Sequence, residues 1–107
     1  MGRSLQKNYK IIISTEAEND LKDAFSWYEN IREGLGHDFL LQIEAALKFI
    51  KRNPKVLIVE YKGTRKLFVK KFPYKIIYIV DAEKINIIAV IHGKRNTNFT
   101  KKRIDTI

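Results

Sequence analysis

Apolar residues recur at Ala17, Leu21, Ala24, Phe25, Tyr28 and Ile31, with gaps of four, three, one, three and three. That spacing lays one stripe along an amphipathic helix and predicts a helix from about residue 16 to about residue 33. Thr15-Glu16-Ala17-Glu18 reads as a capping box, with the Thr15 hydroxyl as N-cap and Glu18 reaching back. Glu16, Glu18 and Asp20 sit where the helix dipole favours negative charge. Gly34-Leu35-Gly36 then breaks the pattern. A second stripe follows at Phe39, Leu40, Ile43, Ala46, Leu47 and Ile50, and it stops at Asn53-Pro54 because the residue before proline avoids the α region. Two long helices joined by so short a link are antiparallel neighbours.

The rest of the apolar pattern has period two. Tyr9, Ile11 and Ile13 alternate with Lys10, Ile12 and Ser14, which predicts a strand before the first helix. Val56 to Tyr61 fits either a strand or an extended connector. Thr64 to Val69 reads as a strand with Arg65, Leu67 and Val69 on one face and Lys66 and Phe68 on the other. After the Phe72-Pro73 break, Tyr74 to Val80 and Ile85 to His92 form a hairpin across Asp81-Ala82-Glu83-Lys84. Tyr74, Ile76, Tyr78 and Val80 share one face while Ile77 and Ile79 share the other, so this strand is covered on both sides. A helical hairpin covers one face only; the tail or a partner protein must cover the second. The expected fold is α+β, in the order β-α-α-β-β-β, with the hairpin packed on one face of a mainly antiparallel sheet.

Composition narrows the classes. A chain of 107 residues has room for one domain, with a core expected over about 9–103. Absence of cysteine excludes disulfides, thiolate metal sites and thiol nucleophiles. The longest apolar runs, such as Ile76 to Val80, fall far short of the ~20 residues that span a bilayer. The polar start from Met1 to Asn8 lacks the apolar region of a secretory signal, and Gln6 departs from the myristoylation pattern. These features point to a cytoplasmic location without membrane association.

Charge is unevenly placed. Residues 1–60 hold nine Lys/Arg and nine Asp/Glu, whereas residues 61–107 hold 12 Lys/Arg and three Asp/Glu and so carry the whole net charge of +9. A charge confined to less than half the chain suggests a face built for nucleic acid or an acidic protein surface. His37 and His92 stand 55 positions apart with no ligand-pair spacing, so no metal site or cofactor is expected. Ser4, Ser14 and Ser26 lie in no nucleophile elbow, and Lys62-Gly63-Thr64 lacks the upstream glycines of a phosphate loop. The basic residues remain. Arg65 and Lys75, if near one end of adjacent strands, would converge with Lys94 and Arg95 into a cluster able to hold phosphate or an oxyanion. Lys70 and Lys71 fit better as solvated lysines that deter edge pairing. His92 ends a strand, either as a site residue or as a hydrogen-bonded strand end. Tyr74 and Tyr78 read as core, and Phe99, in a polar tail, as an exposed contact.

In order and spacing these pieces resemble the RelE/ParE superfamily of type II toxin–antitoxin toxins, over about residues 9–103. The resemblance is carried by Ala17-Glu18-Asn19-Asp20-Leu21, Trp27-Tyr28, Gly36-His37-Asp38-Phe39, Asn53-Pro54, Arg65-Lys66, Phe72-Pro73-Tyr74-Lys75-Ile76-Ile77-Tyr78 and His92-Gly93-Lys94-Arg95. It implies a cognate antitoxin as partner. RelE-like members cut mRNA on the ribosome using basic strand residues and a tail tyrosine; Lys66, Lys75 and Arg95 could match the basic positions. Phe68 stands at the next alternate position after Lys66, and Phe99 is the only aromatic after Arg95, so the acid–base role is unfilled. The chain looks more like the ParE branch, whose members inhibit DNA gyrase. On that resemblance Arg65, Lys75, His92, Lys94, Arg95, Phe99 and Arg103 are the candidates for target or antitoxin binding.

Overall fold

The computed structural model describes residues 8–106, so the N-terminal stretch read for a leader lies almost wholly outside them. Strand β1 (Lys10–Ile13) leads into helices α1 (Thr15–Ile31) and α2 (Leu35–Arg52). A 3-10 turn at Tyr61–Gly63 precedes β2 (Thr64–Phe68), β3 (Tyr74–Asp81) and β4 (Lys84–His92), and helix α3 (Thr97–Asp105) closes the chain. The sheet order is β1-β4-β3-β2. β2, β3 and β4 form the expected antiparallel meander, while β1 lies parallel to β4, from Lys10 opposite Lys84 to Ile13 opposite Ile87. The Val56–Tyr61 segment is a connector rather than a strand.

Local chemistry accounts for the element ends. The N-cap of α1 is Ser14, one residue before the expected Thr15: its Oγ accepts from the Ala17 N–H at 3.1 Å. Ser14 is held there by β4, since its N–H donates to the Ile87 carbonyl and its hydroxyl to that of Ile88. The chain turns from strand to helix where β4 still grips it, and the helix starts a residue early. At the other end α1 stops at Ile31, and Gly34 takes a left-handed conformation with φ +91° to start α2. The Glu29 carboxylate accepts from the N–H groups of Gly34 and Gly36 at 2.8 and 2.9 Å, which ties the hairpin link to α1. Those hydrogen bonds hold the Glu29 carboxyl below its ordinary range.

Each sheet face has its own core. On the hairpin side Ala17, Ala24, Phe39, Ile43 and Ile50 pack on Ile76, Tyr78, Ile85, Ile87 and Val90. On the far side Ile77, Ile88, Ala89 and Ile91 form a smaller cluster, joined by Ile79 and Phe99. The register of β4 slips between Ile87, opposite Tyr78, and Ala89, opposite Ile77, leaving Ile88 as a bulge. Ile88 and Ala89 therefore share the far face instead of alternating. The tail supplies the cover for that face: α3 buries Ile104 and half-buries Phe99. This corrects the reading of residues 96–100 as an exposed polar tail. Asn96 caps α3 by accepting from the Phe99 N–H at 2.8 Å.

Candidate functional site

Alternation along β2 and β3 decides which basic residues meet. Lys66 lies opposite Ile77, and Lys75 opposite Phe68, so both point to the α3 face. There they line a cavity of about 140 Å³ with Glu60, Arg95, Thr97, Thr100 and Lys101. Lys75 is 9% exposed, and burial first, then the nearby Lys66 charge, pulls its ammonium below the ordinary lysine range. Lys66 is balanced by Glu60 at 3.4 Å. Phe99 is held between two guanidinium groups, Arg95 at 4.1 Å and Arg103 at 5.8 Å from the ring centre.

A second, open cleft of about 480 Å³ runs between α1 and the end of β4. Asp20, Asp23 and Trp27 form one wall, and His92, Lys94 and Arg95 the other, with Tyr74 between them. An aromatic stack sets this end of the molecule: Tyr28 and Phe39 pack on Phe72 and Tyr74 with ring centres 4.9–6.0 Å apart, and Tyr74 meets His92 at 5.6 Å. Burial pushes the Tyr74 hydroxyl up from its ordinary pKa. The Gly93 N–H donates to the Pro73 carbonyl at 2.7 Å, which ties the chain to the start of β3 just beyond the end of β4. His92 Nδ1 accepts from the Lys94 N–H at 3.1 Å. Trp27 is 65% exposed at the rim. Its spacing on α1, outside the apolar stripe, could have marked it as a surface aromatic.

Two expected site residues are engaged elsewhere. Arg65 lies opposite Tyr78, on the hairpin face and away from Lys75. Its guanidinium donates to the carbonyls of Lys55 and Leu57, pinning the connector that leads into β2. The expected convergence of Arg65 with Lys75, Lys94 and Arg95 therefore does not form. Arg103 makes a two-pronged pair with Asp20, at 2.8 and 3.0 Å, and donates to the Ile88 carbonyl at 3.2 Å. Its side chain is 17% exposed, and the Asp20 hydrogen bond raises its pKa further. Lys94 and Arg95 remain exposed, and among the described residues Arg95 alone borders both the cavity and the cleft. Among the described residues no group of three or more His, Asp or Glu is placed to hold a metal ion, and no helix is long and apolar enough to cross a membrane.

The sequence model of the ParE toxin of type II toxin–antitoxin systems matches residues 11–97, from β1 through the hairpin and sheet to the start of α3. The chain belongs to the ParE toxin family. Toxin ParE2 of Mycobacterium tuberculosis is 28% identical to it over 96 residues, covering 89% of this chain and 91% of that toxin. Among solved structures, a chain of the chromosomal ParDE system of P. aeruginosa superposes with a TM-score of 0.71 at 16% identity, over 79% of this chain and 96% of that one. The E. coli RelE toxin, as an arginine-to-alanine mutant in the free state, superposes with a TM-score of 0.58 at 12% identity, over 94% and 98% of the two chains. Both likenesses bear on the fold, and this ParE-family chain shares with them a helical hairpin laid on a mixed four-stranded sheet.

Proposed function

We propose that this toxin stops growth by binding DNA gyrase in the cytoplasm, without catalysis, and that a cognate antitoxin neutralises it. The family match across both helices and the sheet supports this most directly. The tail chemistry agrees with it: the aromatic ring beside the basic cavity is Phe99, which has no exchangeable proton to lend to strand cleavage. The contact surface in this reading is the end of β4, where exposed Lys94 and Arg95 face Trp27 across the open cleft. Tryptophan and arginine are the side chains that most often anchor protein interfaces. The antitoxin partner would carry an acidic segment to meet the basic half of the chain.

Purified protein added to gyrase and relaxed plasmid is expected to abolish supercoiling and to accumulate cleaved plasmid. Unaffected gyrase at high protein excess, with toxicity in cells, would overturn the proposal. In that event Lys66, Lys75 and Arg95, which border one cavity, support the second reading, a metal-free endoribonuclease acting on ribosome-bound mRNA. Arg95→Ala is expected to lose toxicity while remaining folded, at a cost of about 1 kcal/mol or less from the lost stacking on Phe99. Full toxicity in that variant would remove Arg95 from the site.

A further inference from the structure

The basic wall of the open cleft suits a negatively charged partner, but the opposite wall does not. Asp23 lines that wall, on α1, with Lys94 and Arg95 across from it. None of the three is ion-paired among the described residues. Asp20 beside it is engaged by Arg103 and the Val90 N–H, so Asp23 is the carboxylate that the cleft offers to a partner. The charges of both walls reach the floor: burial raises the Tyr74 hydroxyl first, Arg95 opposes that rise, and Asp20 and Asp23 add to it. Asp23 and Trp27 are four positions apart and share one face of α1. No cation among the described residues lies over the Trp27 ring. Ile31, one turn further along, is 60% exposed and lengthens the apolar strip. A cation seated here would be held twice, by the indole face and by the carboxylate one turn away. A purely acidic segment matches only the Lys94–Arg95 wall and is repelled by Asp23. A nucleic-acid strand brings its row of phosphates against the same carboxylate. A segment carrying both signs of charge matches both walls.

We propose, resting on the gyrase reading, that this cleft seats a surface segment of gyrase that carries both charges. Its Lys or Arg lies over Trp27 against Asp23, and its Asp or Glu faces Lys94 and Arg95. Asp23 and Trp27 are then the specificity-determining residues of the toxin: they admit the mixed-charge target and turn away the acidic segment of the antitoxin. The two partners therefore depend on different residues, and Arg95, at the border of cleft and cavity, is the group for which they contend.

The test titrates wild-type toxin, Trp27→Ala, Asp23→Lys and Asp23→Asn into the supercoiling assay and measures cognate antitoxin binding to the same four proteins. Both side chains are exposed, and thermal melts check that each variant is folded. The concentration for half-inhibition of gyrase is expected to rise at least about tenfold in Trp27→Ala and in Asp23→Lys, and by less in Asp23→Asn. The antitoxin Kd is expected to stay within about threefold of wild type, or to tighten in Asp23→Lys. Undiminished gyrase inhibition by folded Trp27→Ala and Asp23→Lys would overturn the proposal. Equal loss of gyrase inhibition and antitoxin binding would also overturn it, by giving the cleft to the antitoxin. Trp27 is the single tryptophan, so its fluorescence reports on the cleft directly. Saturable quenching by a DNA oligonucleotide without gyrase would assign the cleft to nucleic acid, and a toxin dimer that Asp23→Lys dissociates would assign it to a second copy; either overturns the proposal. Wild-type toxin that leaves gyrase untouched fails the gyrase reading itself and takes this inference with it. Failure of the cleft alone shows instead as an active wild type with equally active variants.

Discussion

Asp20 and Arg103 stand 83 positions apart, and together they close the edge of the sheet. β1 accompanies β4 only as far as Ile87, yet β4 continues to His92. Beyond Ile87 its outer backbone groups have no neighbouring strand, and buried backbone groups need partners. Asp20 Oδ2 accepts from the Val90 N–H at 2.9 Å, and Arg103 donates to the Ile88 carbonyl. The pair therefore substitutes for a missing piece of strand and pins α3 to α1. Asp20→Ala leaves the Val90 N–H unmatched and the guanidinium without its counter-charge, and Arg103→Met leaves the carboxylate without its counter-charge and the Ile88 carbonyl with only the long Ser14 hydroxyl contact. Each is expected to cost about 3 kcal/mol in urea unfolding, since both side chains are mostly buried. The double variant should cost less than the sum by about 1–2 kcal/mol. Strict additivity would mean that the two groups act independently and that the edge is held by something else. The loss of Arg103 as a surface contact has the same origin: at sequence level its partner lies on another helix, and nothing in a basic tail distinguishes a paired arginine from a free one.

The helical hairpin depends on a glycine for space. A Cβ on Gly36 would sit 2.7 Å from the Phe25 carbonyl oxygen and 2.9 Å from Glu29 Oε1. Alanine gains up to about 1 kcal/mol of helix propensity over glycine, but a backbone oxygen cannot move aside as a flexible side chain can. Gly36→Ala is expected to destabilise by about 1–2 kcal/mol net, seen as a fall in Tm of at least about 4 °C; an unchanged or raised Tm would show that the two helices part easily. Glu29 adds a pH signature. Its folded pKa is depressed by the Gly34 hydrogen bond before other causes, so its contribution is present above the unfolded carboxylate pKa and is lost as pH falls through the lower folded value. Wild type should therefore lose more stability than Glu29→Gln on acidification below about pH 4.5, and parallel acid limbs would refute the link. Both helices and the three C-terminal strands were legible because their stripes are long and regular. β1 was legible as a strand, but its pairing with β4 joins the two ends of the chain and has no local signal. α3 was not legible: its inward-facing apolar residues are Phe99 and Ile104, set among polar and basic neighbours of which Arg103 also turns inward, and the capping Asn96 was its one clear mark.

At the scale of the whole molecule, the charge asymmetry read from the sequence becomes a spatial one. The balanced first 60 residues build β1, the hairpin and most of the connector that follows, and the basic remainder builds β2, β3, β4 and α3. Part of the candidate site was legible in that asymmetry. Alternation separates Arg65 from Lys66 along β2, but only the observed register, with Lys66 opposite Ile77 and Phe68 opposite Lys75, puts Lys66 rather than the expected Arg65 on the face of Lys75. Arg95 joins them through a turn, its N–H donating to the His92 carbonyl at 3.0 Å. The acidic wall of the cleft, Asp20 and Asp23, was hidden because α1 reads as a helix with a solvated polar side. The segregated charge also makes a kinetic prediction. If the antitoxin carries the acidic segment proposed above, its approach to a chain of net charge +9 is steered by long-range attraction, which acts before contact and is screened by salt. Raising ionic strength from about 0.05 to 0.5 M shortens the screening length several-fold. The association rate constant is therefore expected to fall at least about tenfold, with the dissociation rate changing much less. Stopped-flow binding of the cognate antitoxin across a salt series measures both. A salt-insensitive association rate would mean that the basic half meets no acidic surface during encounter. Its positive charge would then serve solubility rather than partner capture.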